Sequence, residues 1–231
     1  MFASSRNFIK GHRLGVLFFL LILCTPLGAA TKAKVISLKG SPKAIQKQTI
    51  RILRLGDEVK VGEKLLTGED EHLTLKLTSG HKIFVLASTS ATLSKLMDGK
   101  VELEQKTGSI WSKIRPLGKE ESFHIRTPSS VAGVRGTAFI SMILDENRTD
   151  ICVCEGKVEV VSGGKKKLIT EGMGATLTKG KAPPAPMSNE GKIRNRRRLS
   201  RKMACMSCHW AGDGDTSRLN EDSSLIFEAK P

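Results

Sequence analysis

The feature that most restricts the fold is a pattern of short runs in which apolar and polar residues alternate. These runs recur from residue 34 onwards and are separated by turns with glycine or aspartate. Leu73, Leu75 and Leu77 alternate with polar residues, which is the two-residue period of a strand with one buried face. Such runs return about every 8 to 12 residues, and no helix-length amphipathic stretch interrupts them. The sequence therefore predicts an all-β sandwich or roll of short antiparallel strands, with strands near 35–38, 83–86, 101–103, 139–144, 151–154 and 158–161.

The first thirty residues have the layout of a secretory signal peptide. Arg6, Lys10 and Arg13 precede the apolar run 14–24, and small residues follow it up to Ala30. The apolar run is shorter than the roughly 18 to 20 residues that span a bilayer. We predict cleavage near Ala30 and a periplasmic or secreted protein, with a retained N-terminal anchor as the alternative.

The mature chain is strongly basic. The full sequence has 38 Lys and Arg against 23 Asp and Glu, and the leader holds three of the basic residues, so the mature charge is 35 − 23 = +12. Such a charge attracts anionic surfaces and acidic partners. We expect the partner to be an envelope protein or an anionic cell-envelope polymer. Nucleic acid is not expected, because the chain is exported, has no recognition motif, and is only 4% aromatic with no Tyr.

The segment Thr127–Phe139 is the most distinctive motif of the chain. Pro128 removes a backbone donor, so the strand before it should end there. Gly133 and Gly136 allow a positive φ or a close approach of other atoms, as a tight connection requires. Arg135 between them is interpreted as a structural tie across a turn, with ligand binding as the alternative.

This segment closely resembles the signature of the FecR domain, and the matching positions are Thr127, Pro128, Gly133, Arg135, Gly136 and Thr137. The resemblance extends over about residues 33 to 175. It includes the turn Leu55-Gly56-Asp57, the segment 66–68 and the strand pair 149–160. We therefore divide the chain into a signal peptide at 1–30, a FecR-like β domain at 31–180, a linker at 181–202 and a tail at 203–231.

The resemblance implies a periplasmic module of bacterial cell-surface signalling. Other members are inner-membrane regulators with a cytoplasmic anti-sigma segment and a transmembrane helix before this domain. Here only about a dozen residues precede the apolar run, and no second hydrophobic segment follows. We expect a secreted, stand-alone version of the module without a direct anti-sigma role and, after leader cleavage, without a transmembrane segment.

Four cysteines follow the leader. Cys152 and Cys154 lie two apart in a predicted strand, so both point to one face and are poorly placed to bond to each other. They are interpreted as buried thiols or as disulfide partners of Cys205 and Cys208. Bridges between the two pairs would tie the tail to the β domain and contribute about 2 to 4 kcal/mol.

Cys205-Met206-Ser207-Cys208-His209 has the spacing of a c-type haem attachment site. The two thiols would bind the porphyrin, and His209 would be an axial ligand of the haem iron. Only 22 residues (231 − 209) follow this histidine, which is too short for a conventional cytochrome c fold. A redox or structural disulfide, or a zinc ion held by the four thiols or by three and His209, remains an alternative.

The segment between the β domain and this motif is predicted to be a linker. Residues 182–186 are Ala-Pro-Pro-Ala-Pro, which favours an extended and semi-rigid chain. A basic run from Arg194 to Lys202 follows, and such runs are usually solvated. We expect an extended, partly disordered C-terminal tail.

No catalytic constellation is visible in the sequence. There is no Ser/His/Asp grouping, no pair of carboxylates at a recognisable spacing and no phosphate-binding loop. The preferred interpretation is a non-enzymatic envelope binding, scaffold or signalling-accessory protein. The alternative is a haem-bearing periplasmic redox or sensor accessory that uses Cys205, Cys208 and His209.

The haem hypothesis predicts a covalent adduct. Mature protein from cells that mature cytochromes c should show Soret absorption, and its denatured mass should exceed that of the polypeptide by one haem, because thioether bonds survive denaturation. The C205S/C208S variant is the control and should lack both signals. A mature wild-type protein without either signal would exclude haem attachment.

Overall fold

The computed structural model describes Met1 and residues 32–188, and this part is all-β with no helix. Sheet A contains β1 (Ala33–Lys39), β4 (Glu58–Val59), β6 (His72–Leu77), β7 (Lys82–Val85), β10 (Ser109–Ile114), β13 (Thr137–Asp145), β14 (Arg148–Glu155), β17 (Met173–Thr178) and β18 (Met187–Ser188). Sheet B contains β2 (Lys43–Gln46), β3 (Thr49–Ile52), β5 (Lys64–Leu66), β8 (Ser90–Met97), β9 (Lys100–Thr107), β11 (Ser122–Arg126), β12 (Val131–Val134), β15 (Lys157–Ser162) and β16 (Lys165–Thr170).

The chain alternates between the two sheets, adding one or two strands to one sheet before it crosses to the other. The order in sheet A is β18-β17-β14-β13-β10-β7-β6-β1-β4, and the order in sheet B is β16-β15-β12-β11-β9-β8-β5-β2-β3. Successive segments therefore face each other across the sandwich. The main core lies between the sheets, and its largest buried side chains include Phe123 and Phe139.

A buried polar contact also joins the two sheets inside this core. Ser141 of β13 donates a hydrogen bond of 2.6 Å from Oγ to Oε1 of Gln105 on β9. The amide nitrogen of Gln105 donates to the backbone oxygen of Gly108 at 2.8 Å. Both side chains are fully buried. Because each polar group is satisfied, this contact adds specificity to the core without an uncompensated desolvation cost.

The predicted all-β sandwich is confirmed, with one difference in strand direction. β9 and β11 are parallel, with Val101 opposite Phe123 and Leu103 opposite Ile125. The chain leaves β9 for β10 in sheet A and then returns to sheet B through the loop 115–121. β11 therefore re-enters beside β9 in the same direction, which a crossover permits and a hairpin does not.

Two glycines with positive φ lie at neighbouring points where the chain changes sheets. Gly136 (φ +66°) joins β12 to β13, and Gly156 (φ +79°) joins β14 to β15. The two turns are in contact, since a Cβ on Gly156 would lie 2.6 Å from the backbone oxygen of Gly136. Side chains are therefore excluded from this corner both by conformation and by space.

The sheet extends past the predicted domain boundary at residue 180. Met187 and Ser188 pair with Gly174 and Met173, so the first part of the predicted linker returns to the edge of sheet A. The predicted signal peptide, the basic run from Arg194 and the tail with Cys205, Cys208 and His209 lie outside the described residues.

The corner generates a stability prediction with a matched control. Gly156 and Gly172 both have a positive φ, but nothing lies within 4 Å of a Cβ on Gly172. Gly172→Ala should lower the free energy of unfolding by about 1 kcal/mol through backbone strain alone. Gly156→Ala should cost about 1 to 3 kcal/mol more, because its Cβ also meets backbone atoms. Equal losses in urea denaturation would show that the corner can relax.

Candidate functional site

Two classes of site are absent from residues 32–188. No group of three or more His, Cys, Asp or Glu side chains there is placed to hold a metal ion. In the same stretch no helix has both the length and the apolar character that a membrane span needs.

Four lysines form a straight row across the outer face of sheet A, the face turned away from sheet B. Lys34 of β1 lies opposite Lys76 of β6, which lies opposite Lys82 of β7, which lies opposite Lys113 of β10. Their neighbours along the strands belong to the core, so the lysines point outwards. We call these four residues the lysine row. Adjacent strands are about 4.8 Å apart, so the row spans about 14 Å.

The lysine row is electrostatically unfavourable by itself. Like charges directly opposite on neighbouring strands destabilise a sheet. The pKa of Lys82 lies below its ordinary value because of burial and because of the adjacent charges of Lys76 and Lys113. Within residues 32–188, no carboxylate forms an ion pair with Lys34, Lys76 or Lys113. Glu58 of β4 lies opposite Lys34 and pairs with Lys32 Nζ at 3.0 Å, so one end of the row is next to a carboxylate. The rest of the row concentrates positive charge that an anion would stabilise.

A row of apolar side chains lies beside the lysine row on the same face. Phe84 of β7 lies opposite Trp111 of β10, which lies opposite Ile140 of β13, which lies opposite Cys152 of β14. We call these four residues the apolar row. The rings of Phe84 and Trp111 meet edge to face with centroids 4.8 Å apart. The row belongs to a second hydrophobic cluster, separate from the core between the sheets.

The outer face of sheet B has a different character. Its charges are of both signs and some are paired, with Arg126 Nε 2.7 Å from Glu102 Oε1 and Lys166 Nζ 3.2 Å from Glu159 Oε1. Such paired surface charges contribute little and need no partner. The contrast identifies the outer face of sheet A as the candidate binding face.

The motif Thr127–Phe139 forms the connection between β11, β12 and β13. Thr127 closes a tight turn, because its backbone nitrogen donates to the Ser130 oxygen at 2.8 Å and its Oγ1 accepts from the Ser130 nitrogen at 3.1 Å. Its hydroxyl also accepts a hydrogen bond of 3.0 Å from Thr149. β11 ends at Arg126, directly before this turn and Pro128. The turn therefore closes one end of the sandwich.

The two glycines of the motif serve different purposes. Gly136 has a positive φ at the sheet change, and a Cβ there would lie 3.0 Å from Cα of Pro116. Gly133 lies in regular β12, opposite His124. A Cβ on Gly133 would lie 3.2 Å from Cδ2 of His124, so the missing side chain makes room for that ring. Thr137 follows and donates from Oγ1 to the Lys157 oxygen at 2.8 Å.

Arg135, interpreted from the sequence as a structural tie, is exposed. No hydrogen bond or ion pair joins its side chain to another of residues 32–188. Arg51 makes such a tie instead. Its Nε and one terminal nitrogen donate to the two oxygens of Glu63 at 3.0 and 2.9 Å, and its other terminal nitrogen donates to Asp57 at 3.2 Å.

Glu63 holds this tie in a buried position, with only 6% of its side chain exposed. Burial raises the pKa of Glu63, but hydrogen bonds from Arg51 and from the Lys60 backbone outweigh burial, so the pKa lies below its ordinary value. Sequence reasoning missed this pair. The Arg51-to-Glu63 spacing has no motif, and only the turns after β3 and β4 bring the residues together.

Of the predicted cysteine and haem residues, two lie in the described part of the chain. Cys152 is buried in the apolar row, and Cys154 is half-buried and packs against the same cluster. They share one face of β14, as the sequence predicted. Cys205, Cys208 and His209 lie outside the described residues, so haem, zinc and cross-bridging remain predictions.

Comparison with known proteins gives one family match. Residues 63–159 match the family model described as FecR protein. This span runs from the buried Glu63 into β15 and includes the whole motif Thr127–Phe139 and three of the four residues of the lysine row. It is shorter than the resemblance found in the sequence. No curated protein matches the chain.

Two crystal structures of a proposed anti-sigma factor from Parabacteroides distasonis are similar to part of this chain. Both are 16% identical, cover 54% of this chain and have a TM-score of 0.47. The match spans 59% of the length of those structures, which is less than two thirds. At this level we take neither activity nor partner from them.

The two arginines generate opposite predictions. Arg51→Ala leaves the buried Glu63 carboxylate without its main partner and should lower the free energy of unfolding by about 2 to 3 kcal/mol. Arg135→Ala removes an exposed side chain and should change the free energy of unfolding by less than about 0.5 kcal/mol. Urea denaturation measures both. A large loss for Arg135→Ala would restore its interpretation as a structural tie.

Proposed function

We propose, from the match of residues 63–159 to the FecR family model, that the protein is a non-enzymatic binding module of the cell envelope. It would act as an accessory of cell-surface signalling, outside the cytoplasm, where the predicted signal peptide would direct it. The lysine row is the observation that carries the proposal, because it concentrates positive charge on one face of the domain.

The partner proposed for the lysine row is a linear polyanion of the envelope. Four lysines in line on adjacent strands, which are about 4.8 Å apart, fit an extended chain with repeated negative charges better than a small anion. Lys34 and Lys76 are exposed, while Lys82 and Lys113 are half-buried. An acidic segment of an envelope protein is the competing partner, and the binding test separates the two.

Binding of a polyanion also explains why the sheet tolerates the lysine row. The repulsion between adjacent ammonium groups costs stability in the free protein, and a bound anion would remove this cost. Partial burial of Lys82 and Lys113 strengthens their attraction to an anion, because they are less screened by water and salt. The exposed Lys34 and Lys76 are screened, so binding should weaken as the salt concentration increases.

The haem-bearing alternative rests on Cys205, Cys208 and His209 alone. It is compatible with the binding proposal, because the motif lies outside the FecR domain. Absorption and mass measurements test it independently of any measurement on the lysine row.

The binding proposal is tested with a triple substitution and a charge-matched control. K34A/K76A/K113A should weaken binding of inorganic polyphosphate about tenfold at low salt, on the basis of about 0.5 kcal/mol for each lost ion pair. K165A/K166A/K167A removes the same charge from three exposed lysines of β16 and should have a much smaller effect. Titration calorimetry at two salt concentrations measures both.

Two outcomes of this experiment are informative. Equal losses in the two variants would show that binding follows net charge, and the lysine row would lose its role. Binding of polyglutamate but not of polyphosphate would indicate an acidic protein partner instead of a phosphate polymer. Since the substitutions relieve repulsion, the lysine-row variant should be at least as stable as the wild type, so weaker binding would not reflect unfolding.

A further inference from the structure

The apolar row is covered although it lies on the outside of the sandwich. Phe84 and Trp111 are each 1% exposed, Ile140 is 0% exposed and Cys152 is 2% exposed. All strands of residues 32–188 belong to sheets A and B, so none of them forms a layer over this face. A row of large apolar side chains on a sheet face needs such a layer to keep it from water.

Two buried polar atoms on the same face indicate that the covering layer supplies hydrogen-bond partners. The indole Nε1 of Trp111 and the Oγ1 of Thr74 are both buried without a hydrogen-bond partner. Thr74 lies opposite Phe84, so both groups belong to the same line across the sheet. An extended polypeptide crossing this line would bring backbone carbonyls and amides to satisfy them.

The described chain ends at the same line. Met187 lies opposite Gly174 of β17, and Gly174 lies opposite Cys152 of the apolar row. We propose that the C-terminal segment 189–231 docks across the outer face of sheet A and covers the apolar row. The segment leaves β18 at the edge of this sheet, so docking requires no crossing to the other side of the molecule.

The stretch 221–228 is the part of this segment that best matches the face. It places Glu221, Asp222 and Glu228 around the apolar residues Leu225, Ile226 and Phe227. Its carboxylates match the lysine row, and its apolar side chains match the apolar row beside it. The predicted leader, in contrast, has three basic residues and no acidic one, so the lysine row would repel its charged end.

The chain is long enough to make this contact. From Ser188 to Leu225 there are 37 residues (225 − 188), whereas the line from β17 to β6 crosses five strand intervals. An extended chain reaches about 3.3 Å per residue, and five intervals amount to about 24 Å. The basic run from Arg194 can therefore stay away from the lysine row while the later stretch docks.

Fluorescence of Trp111 in the full chain tests the proposal. The sequence has two tryptophans, so Trp210→Phe leaves Trp111 as the only one. In this background, I226D/F227D should undock the stretch. The acrylamide quenching constant of Trp111 should then rise about threefold and its emission should shift to longer wavelength, because the ring becomes exposed to water.

I193D/L199D is the matched control in the same background. It replaces two apolar residues of the same segment by aspartate outside the stretch 221–228 and should leave Trp111 protected. Unchanged quenching in I226D/F227D would overturn the proposal. Quenching that increases on dilution of the wild-type background would also overturn it, in favour of coverage by a second copy.

Chemical cross-linking gives a second, direct readout. Carbodiimide joins a carboxylate to an amine in contact with it, so it should link Glu221 or Asp222 to a lysine of the lysine row. A mixture of ¹⁵N-labelled and unlabelled protein distinguishes links within one chain from links between copies. Absence of the link, or links only between copies, would contradict the proposal. Neither readout uses polyphosphate binding, so failure here would leave the proposed function untouched.

Discussion

The burial of sheet A on both faces is the constraint on which the rest of the structure depends. Its central strands have apolar side chains at consecutive positions, as in Ile83-Phe84-Val85 and Phe139-Ile140. One set enters the core between the sheets, and the other forms the apolar row. Sheet B follows the ordinary pattern, since β15 buries Val158 and Val160 and exposes Glu159 between them. Sheet B thus covers one face of sheet A, and no strand of residues 32–188 covers the other face.

The lysine row lies at the margin of this covered face, and its chemistry follows from that position. Water is partly excluded there, which lowers the pKa of Lys82 together with the neighbouring charges. The repulsion within the lysine row costs stability, so the row is difficult to explain as a feature that stabilises the fold. On sheet B, in contrast, ion pairs keep the outer face in water without such repulsion. A binding role accounts for the cost, since a bound anion would reduce the repulsion between neighbouring ammonium groups.

The sequence predicts the elements of this fold better than it predicts the site. The alternation of Leu73, Leu75 and Leu77 specifies β6, and the turn residues around it specify its ends, because both signals are local. The lysine row consists of residues far apart in sequence, and strand pairing alone brings them opposite each other. The sequence predicts a sandwich but not the order of its strands, so it does not show which residues lie opposite each other across a sheet. The ion pair of Arg51 with Glu63 was missed for the same reason, whereas Arg135, which stands out in the sequence, has no contact of this kind in residues 32–188.

The family motif and the candidate binding face lie in different parts of the molecule, and this separation has a consequence for function. Gly136 and Thr137 act on the connection between sheets, where a side chain or a lost hydrogen bond would disturb the corner, and Gly133 leaves room for His124 within sheet B. The lysine row and the apolar row use outward positions of sheet A, where a side chain can change without altering the corner. A domain of this kind can therefore keep its motif while its outer face changes partner. The match of residues 63–159 to the FecR family model includes the motif and concerns the scaffold, so the partner must be inferred from the face.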